Sequence, residues 1–366
     1  TINTATINTA TINTATINTA TIKQQRSSSN DQHSNTQKDE TNMKAAVLTS
    51  SGFEIGEAKQ PVPGPEQVLV RVRACALNRA DLGMISGHMH GNIGGPGTIP
   101  GMEFAGEVVE VGAEVKGIKV GDRVACSGGA GYAEYAVTDY GRVMPIASSS
   151  ISYEQAVTLP IAVLTMHDAI VTNGRLRAGD AIVIQGASSG VGLLGMQIAK
   201  LMGAGLVIGT SSNPARREQL TNWGADVALD NSDETWPAQA VAANKDKGID
   251  VIIDQLSGKF VNQNMQAAAV LGRIVNVGRL AGFKGEMDFD LHALKRIQYI
   301  GVTFRTRNIH EVREIARRAM EDLGPAIQAG KLSLPIDKVF PFAQLADAFI
   351  RMRRNEHFGK IVVTHG

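Results

Sequence analysis

Residues 181–195 of this 366-residue chain read AIVIQGASSGVGLLG, an apolar run followed by a glycine-rich segment. The run 181–185 has the length and composition of a buried β-strand. Beyond the first glycines, apolar residues recur at helical spacing, which predicts a helix over residues 191–202. A glycine-rich turn between a strand and a helix is typical of phosphate binding, because glycine admits close backbone approach and the helix N-terminus offers free N–H groups.

The segments after this turn predict an α/β fold. Further strand-like runs at residues 206–210, 250–254, 273–277 and 299–304 alternate with helical segments. Such alternation favours a doubly wound parallel sheet, the Rossmann domain, which binds a dinucleotide at the ends of its strands. A glycine-rich turn without a ligand is the alternative, and the full strand–helix–strand context argues against it. We therefore predict that the cofactor's pyrophosphate lies against Ser189, Gly190, Val191 and Gly192.

The end of the second strand of this domain predicts which dinucleotide is bound. NAD sites place an acidic residue there, about 20 residues past the glycines. Residues 209–217 read GTSSNPARR, and the first acid that follows is Glu218. The hydroxyls of Thr210 and Ser211, together with an arginine, suit a 2′-phosphate, since a guanidinium binds it with two hydrogen bonds. We expect NADPH as the cofactor and Arg216 as the 2′-phosphate ligand, with solvated surface arginines as the alternative.

The residues before this domain follow a different pattern. Short β-branched runs separated by turns predict a mostly β domain of barrel or sandwich type. These runs lie at residues 68–74, 107–111, 120–124 and 135–137. The chain ends with a predicted helix at 309–323 and a strand at 360–363, which we expect to return to the first domain because the Rossmann sheet is already complete. The expected domains are therefore 43–165, 166–304 and the returning segment 305–366.

The N-terminal segment 1–42 has the character of an extension. It begins with four copies of Thr-Ile-Asn-Thr-Ala and continues as a polar run. A period of five residues is too short for a repeat architecture, and a strand there has no partner to pair with. We interpret the segment as a disordered or spurious low-complexity extension. A chain that begins at Met43 is expected to keep full activity and cofactor binding.

Composition and charge argue against several classes of protein. The net charge of +1 gives no general attraction to nucleic acid or to an anionic membrane. The two cysteines, Cys75 and Cys126, are too few for a disulfide framework or a four-thiolate zinc site. We find neither the roughly 20-residue apolar run of a membrane span nor the apolar core of a signal peptide. We expect a soluble, cytoplasmic protein without a nucleic-acid or membrane partner.

Motifs along the whole folded part resemble those of one superfamily. The turn GASSGVG is similar to the entry turn of short-chain dehydrogenases, but those place it near the N-terminus and follow it with a Tyr-x-x-x-Lys pair, which is absent here. From Met43 on, the chain instead resembles the medium-chain dehydrogenase/reductase superfamily, most of all its zinc-independent quinone oxidoreductase branch, which includes zeta-crystallin. The matching stretches are NRAD at 78–81, PGMEFAG at 100–106, GDRV at 121–124, GYAEY at 131–135, SGVG at 189–192, WGAD at 223–226 and HFGKIV at 357–362. The resemblance implies that the first domain is a GroES-like barrel.

The same resemblance bears on a metal. Zinc-dependent relatives carry Cys where this chain has Asn78 and His where it has Met102, and they have a lobe of four closely spaced cysteines that this chain lacks. A catalytic zinc takes about three protein ligands, for which an amide and a thioether are poor substitutes. His88, His90 and Cys126 form an alternative donor set, but two histidines in a glycine-rich loop more often belong to a plain loop. We expect no metal.

The resemblance also implies candidate site residues. Asn78 would lie near the nicotinamide, where its amide could donate a hydrogen bond to a developing oxyanion. Asp81 of the same motif belongs to the catalytic site or only caps the following helix, and we favour the cap. Thr165 matches a position beside the nicotinamide, with a threonine inside a buried helix as the alternative. Gly278 and Lys360 match cofactor-side positions, although Lys360 could equally be a surface charge.

Two departures from the family concern the ligands. Many relatives place a Tyr near the adenine where this chain has Asn231, which cannot stack in the same way. The loop 87–96 lacks the aromatic residues often found at the substrate mouth. We expect this loop to be mobile and to shape substrate choice, with His88 and His90 as candidate proton donors.

The expected function follows from the cofactor and from the missing metal ligands. Without a metal to stabilise an alkoxide, reduction of an electrophile is favoured over oxidation of an alcohol. We expect NADPH-dependent reduction of a quinone or an α,β-unsaturated carbonyl compound. The alternatives are a 2-enoyl-thioester reductase, which would need a basic groove for the phosphates of its carrier, and a non-catalytic NADPH-binding redox sensor. Relatives commonly form homodimers through the edge of the Rossmann sheet, and we expect the same here.

Overall fold

The computed structural model describes residues 41–91, 93–146 and 151–365. The expected extension over residues 1–42 therefore lies almost wholly outside the described part of the chain. Asn42 already begins the first strand, and Met43 is buried.

The strands and helices are numbered along the chain. The strands are β1 (Asn42–Thr49), β2 (Gly52–Lys59), β3 (Gln67–Ala76), β4 (Glu103–Val111), β5 (Arg123–Ser127), β6 (Tyr135–Asp139), β7 (Val143–Pro145), β8 (Ala181–Ile184), β9 (Leu206–Thr210), β10 (Val227–Leu229), β11 (Ile249–Asp254), β12 (Ala268–Asn276), β13 (Gln298–Gly301), β14 (Ile336–Pro341) and β15 (Lys360–Thr364). The α-helices are α1 (Arg79–Ile85), α2 (Tyr153–Ala156), α3 (Pro160–His167), α4 (Gly190–Leu201), α5 (Pro214–Gln219), α6 (Trp236–Ala243), α7 (Val261–Ala267), α8 (Phe289–Lys295), α9 (Ile309–Gln328) and α10 (Leu345–Arg353).

The first sheet is mostly antiparallel and belongs to the N-terminal domain. Its order is β14-β15-β3-β4-β5-β7, and β6 also pairs with β3. Strands β1 and β2 form a separate antiparallel hairpin. The core of this domain includes Val70, Phe104, Tyr132 and Phe349. The predicted mostly β domain is confirmed, and the last strand of the chain returns to it as expected, since β15 pairs with β3.

The second sheet is parallel throughout, with the order β10-β9-β8-β11-β12-β13. The chain passes from β8 to β9 and β10 on one side and then crosses to β11 on the other, so the winding reverses beside β8. Ligands of such sheets bind in the crevice that forms at this reversal, outside the carboxyl ends of the strands. The predicted doubly wound sheet is confirmed, and the glycine-rich turn joins its central strand β8 to α4.

The apolar face of helix α9 packs in the Rossmann core, while its Arg313 contacts the first domain at Asp139 and Gly141. Ile315, Ala319 and Leu323 of this helix are buried in the same cluster as Ile182 and Leu194. Of the segment 305–366, β14 and β15 join the sheet of the first domain, whereas the apolar face of α9 joins the Rossmann core. The apolar stripe of α9 specifies that one face is buried, but it does not specify which sheet that face covers.

One helical stretch, Tyr153–Asn173, is long and apolar enough to cross a membrane by length and composition. It joins α2 and α3 to a π-helical segment, Asp168–Asn173. The expectation that no run reaches this length was wrong. Most of the stretch is buried, and Val163 and Met166 lie in the Rossmann core, as in the core helix of a globular domain.

Candidate active site

The glycine-rich turn is held in shape by Ser189 and by the absence of side chains. Ser189 is the N-cap of α4, and its Oγ accepts a hydrogen bond from the backbone N–H of Gly192 at 3.1 Å. A Cβ at Gly192 would lie 2.7 Å from the Cα of Ala187, so no larger residue fits. The N–H groups of Gly190 and Val191 begin the helix and have no intrahelical acceptor. The turn therefore offers free donors at the positive end of a helix, which suits a pyrophosphate.

A second wall of the crevice forms where β11 and β12 end. Gln255 directly follows β11, where its Oε1 accepts a hydrogen bond from Ser189 Oγ at 3.1 Å and its Nε2 donates to the carbonyl of Gln185 at 2.8 Å. A Cβ at Gly278 would lie 2.5 Å from the carbonyl oxygen of Gln255, so this approach requires glycine. Gly278 is thus at the crevice. The sequence analysis missed Gln255, although its place at the end of a central parallel strand is the signal that could have found it.

The hydroxyl of Thr210 is turned inward and not toward the crevice. Thr210 is fully buried, and its Oγ1 donates to Oε1 of Gln185 at 2.7 Å and accepts from the N–H of Gly186 at 3.2 Å. Its predicted contact with the cofactor is therefore not available to this hydroxyl, which shapes the turn instead. Ser211 is nearer to the crevice, since its Oγ donates to Oγ of Ser188 in the turn at 3.1 Å.

The two arginines after β9 have different partners. Arg217 forms an ion pair with Asp230 at 2.9 Å and is thereby neutralised. Arg216 instead donates to the backbone carbonyl of Asn355, in the segment between α10 and β15. The Oδ1 of Asn355 also accepts a hydrogen bond from Nη2 of Arg79 at 2.9 Å. The first domain thus brings a second arginine to the residue that the sequence predicts as the 2′-phosphate ligand.

Arg79 and Arg216 together form what we call the basic pair. Burial, and then the positive charge of Arg216, lower the pKa of Arg79. Within the described part of the chain, the hydrogen bonds from both guanidinium groups end on carbonyl oxygens of Met352 and Asn355 and on no carboxylate. Two adjacent cations without an acid between them suit an anion that has several oxygens.

Asn78, Glu103 and Lys360 form a buried cluster beside the glycine-rich turn. Lys360 donates to the carboxylate of Glu103 and, at 3.0 Å, to Oδ1 of Asn78. A Cβ at Gly190 would lie 2.9 Å from Cδ of Lys360, so the lysine stem packs on the turn. Lys360 is 6% exposed and is not a surface charge. Glu103, which the sequence analysis did not select, lies at the centre of the cluster, and its place inside the motif PGMEFAG was the available signal.

The side-chain N–H groups of Asn78 are already bonded to protein acceptors. Its Nδ2 donates to Oε1 of Glu103 at 2.9 Å and to the carbonyl of Ala76 at 3.4 Å. The amide is therefore turned toward protein acceptors, and a contact with a substrate oxyanion would require the release of one of them. The structure assigns Asn78 first to the alignment of Glu103 and Lys360.

Asp81 caps the helix that follows Asn78, as we favoured from the sequence. Its Oδ2 accepts hydrogen bonds from the backbone N–H of Asn78 and from the hydroxyl of Tyr132, both at 2.7 Å. Burial raises the pKa of Asp81 to about 7, against the effect of these two donors. The carboxyl is fully buried and is not on the wall of the cavity described next, which agrees with the cap.

A cavity of about 810 Å³ opens beside these groups. Thr165, Met102 and His90 are on its wall. The hydroxyl of Thr165 makes no side-chain hydrogen bond to a described residue, so it is free to donate to a ligand. Burial, and then the nearby Arg305, lower the pKa of His90, which makes it neutral near pH 7 and a weak proton donor. His88 is exposed and does not line the cavity.

The donor groups at this site do not fit a zinc ion. The amide of Asn78 is already bonded to Glu103 and Lys360, and Met102 offers only a thioether. Among the described residues there is no group of three or more His, Cys, Asp or Glu side chains arranged to hold a metal. Cys75 and Cys126 are both buried, unpaired thiols. We therefore derive no step through a metal.

Two family models match the chain. The alcohol dehydrogenase GroES-like domain matches residues 64–148, and the zinc-binding dehydrogenase domain matches residues 190–321. The name of the second family mentions zinc, for which the described residues offer no suitable donor set, so the match concerns the fold of the nucleotide-binding half.

Two curated relatives are similar to this chain at 28% and 29% sequence identity. The chain is 28% identical over 312 residues to a phenolphthiocerol/phthiocerol polyketide synthase of Mycobacterium tuberculosis, and the match covers 85% of this chain. The same match spans only 14% of that much longer relative. The quinone oxidoreductase of Mus musculus is 29% identical over 294 residues, with 79% of this chain and 86% of the relative covered.

Solved structures show the same architecture. A putative alcohol dehydrogenase from Sinorhizobium meliloti is 30% identical, with a TM-score of 0.74 and coverage of 88% of this chain and 98% of that chain. The CurK enoyl reductase is 25% identical, with a TM-score of 0.78 and coverage of 88% and 99%. The GroES-like domain and the Rossmann domain agree with these matches, and the chain belongs to the medium-chain dehydrogenase/reductase superfamily, in its zinc-independent quinone oxidoreductase branch.

Proposed function

We propose that this oxidoreductase uses NADPH to reduce a quinone or an α,β-unsaturated carbonyl compound, without a metal. One observation carries the proposal. The cavity of about 810 Å³ has Thr165 and Met102 on its wall and lacks a metal donor set among the described residues. An alcohol would find no metal donor set among the described residues to stabilise its alkoxide, whereas an enone or quinone is already an electrophile and needs only positioning.

When bound, NADPH supplies a hydride, so that an enone, NADPH and one proton give the saturated carbonyl compound and NADP⁺. The chain contributes the binding of the cofactor through the turn at Ser189 and Gly190, and the exclusion of water by the two domains. The hydroxyl of Thr165 can donate to the carbonyl oxygen on which negative charge develops. The described wall of the cavity offers no strong acid at this place, so we assign the proton to water.

The choice of NADPH rests on the basic pair. Arg216 and Arg79 meet just beyond the end of β9, where both donate hydrogen bonds to carbonyl oxygens of Asn355. Arg217 is instead neutralised by Asp230. A 2′-phosphate would supply the missing negative charge, whereas the 2′-hydroxyl of NADH would not. Ser211 lies beside the turn and can add a hydrogen bond.

The experiment is the oxidation of NADPH by the purified chain with a panel of quinones and enones, with NADH and a chelator as controls. Turnover that prefers NADPH and is indifferent to the chelator supports the proposal. Tight NADPH binding without turnover across the panel would favour a non-catalytic redox sensor. Turnover confined to enoyl thioesters would favour a 2-enoyl-thioester reductase, a possibility raised by the likeness to the CurK enoyl reductase.

We also propose a homodimer that forms along β13, the open edge of the Rossmann sheet. Exposed apolar side chains lie on this strand and on the elements next to it, namely Val270, Leu271, Phe283, Phe289, Leu294 and Tyr299. An unpaired edge strand with apolar neighbours is a template for a second copy, because pairing of the two edges continues the sheet across a two-fold axis. The cytoplasmic location stays a prediction from the low cysteine count.

A further inference from the structure

The outer part of the cavity is charged, in contrast to the wall near Thr165. Six charged side chains line it, namely Glu66, Glu114, Asp139, Arg142, Arg305 and Arg307. The charges of the three acids and three arginines add up to zero. The partners of each side chain therefore decide which of them can bind a ligand.

Two of the three acids are bound by an arginine outside the cavity wall. Arg313 donates to both oxygens of Asp139, at 2.9 Å and 2.6 Å, and its remaining nitrogen donates to Glu66 at 2.9 Å. Arg307 is likewise neutralised by Asp168 at 2.8 Å. These pairs are complete without Arg142.

Arg142 is the arginine of the cavity wall to which none of these pairs belongs. Its side chain is partly buried on the cavity wall, yet it forms no ion pair or hydrogen bond with any residue that the structure describes. Burial lowers the pKa of Arg142, with Asp139 acting in the opposite direction, but a guanidinium keeps its charge at neutral pH. A partly desolvated charge without a partner is unfavourable, and a ligand anion would remove that cost.

The position of Arg142 is fixed by the backbone that carries it. Residues Tyr140–Arg142 form a 3₁₀ turn whose Gly141 N–H is bound by Asp139 at 2.9 Å. A Cβ at Gly141 would lie 2.4 Å from Cγ of Arg313, so that arginine packs directly on the turn. Arg313 therefore binds both nearby acids, one positive charge for two negative ones, and packs on the turn that presents Arg142.

The remaining charged side chains of the cavity wall do not pair with Arg142 either. Arg305 lies at the cavity rim, where its side-chain hydrogen bond goes to the hydroxyl of Thr303 at 3.3 Å. Glu114 is exposed at the rim and forms no ion pair with Arg142. Arg142 and Arg305 are thus the two arginines of the cavity wall without an ion pair to a described residue, and Arg142 is the partly buried one, where a charge acts more strongly.

We propose that the cavity accepts an electron-poor alkene or quinone that carries a carboxylate, and that Arg142 binds this carboxylate while the reactive carbon lies near Thr165. The proposal rests on the proposed reductase function and adds its substrate class. The two ends belong to one cavity of about 810 Å³, which is large enough for an acceptor with an acidic tail. A guanidinium fits a carboxylate with two parallel hydrogen bonds, which makes Arg142 a specificity-determining residue.

The test uses one enone with a carboxylate at the far end of an alkyl chain, and its methyl ester as the neutral counterpart. We expect the acid to have a KM about tenfold below that of the ester in the unaltered chain. Arg142→Gln should raise the KM of the acid to that of the ester and leave the ester unaffected, and Arg142→Lys should fall between. Arg318→Gln, which alters an exposed arginine of α9 outside the cavity wall, is the matched control.

Equal KM values for acid and ester in the unaltered chain, or an equal loss for both in Arg142→Gln, would overturn the proposal. An unchanged NADPH affinity in Arg142→Gln shows that the variant is folded. If neither enone nor any acceptor of the quinone and enone panel is turned over, the reductase function has failed, and calorimetry with the saturated acid and its methyl ester still tests the anion site. Tighter binding of the acid that is lost in Arg142→Gln supports it, and equal binding of both overturns it.

Discussion

The side-chain amide of Asn78 donates to Oε1 of Glu103 at 2.9 Å, and Lys360 binds both residues from the other side. Glu103 and Lys360 are buried, so each charge depends on the other. Asn78 and Glu103 are 25 residues apart in the sequence, and Lys360 is 257 residues beyond Glu103. The last strand of the chain thus secures the start of α1 against the glycine-rich turn.

Glu103→Gln should destabilise the chain by about 3 kcal/mol, because it leaves the ammonium of Lys360 buried without its counter-charge. Urea unfolding followed by circular dichroism measures this loss. The double variant Glu103→Gln/Lys360→Met should be less destabilised than the single one, since no buried charge remains. A single variant as stable as the unaltered chain would show that the pair carries no such dependence.

Asp81 should make the stability of the chain depend on pH. Its pKa is raised to about 7 by burial, well above the usual range of an aspartate in the unfolded chain. The folded state therefore holds a proton that the unfolded state has released, and the free energy of unfolding should fall as pH rises from about 4 to 7. The slope from this group is at most about 1.4 kcal/mol per pH unit.

Asp81→Asn tests this dependence, since an amide does not titrate. Between pH 5 and pH 7.5, we expect the unfolding free energy of the unaltered chain to fall relative to that of Asp81→Asn. Urea titrations at the two pH values measure that difference. A difference that is the same at both would mean that Asp81 is ionised throughout, held so by Tyr132 and the N–H of Asn78.

Much of the fold could be predicted because it follows from local patterns. The parallel strands are short apolar runs, and β9 lies at the predicted positions, residues 206–210. Strand β5 was placed too early, since Gly121 has a φ of +91° and forms part of the turn before the strand. The packing of α9 could not be predicted, because its apolar stripe fits either sheet.

The site was harder to predict, because its side chains are arranged by contacts that are distant in the sequence. Thr210 is at the end of β9 as expected, but its hydroxyl donates a hydrogen bond to Gln185, which directly follows the neighbouring strand β8. Arg142 is one arginine among many in the sequence, and only the capture of Asp139 and Glu66 by Arg313 leaves it unpaired. The spacing of residues in the sequence does not indicate which arginine has no ion-pair partner among the described residues.

Phe289→Glu should convert the proposed dimer to a monomer. Phe289 is 74% exposed at the start of α8, beside the open edge strand β13, and a carboxylate there would be buried without a partner in the dimer. Size-exclusion chromatography with light scattering measures the change. Val120→Glu, at an exposed apolar residue of the first domain, is the matched control and should leave the dimer intact. A monomeric unaltered chain would contradict the proposed interface.

Arg216→Ala should weaken NADPH binding about tenfold and leave NADH binding nearly unchanged, because only NADPH carries the phosphate that the basic pair would hold. Fluorescence titration of the two cofactors measures both dissociation constants. Arg217→Ala is the matched control: its guanidinium already pairs with Asp230, so its removal should change the ratio of the two constants far less. Arg79→Ala should act in the same direction as Arg216→Ala, since both groups meet at Asn355. An equal factor for NADPH and NADH in Arg216→Ala would show that this arginine does not read the 2′-phosphate.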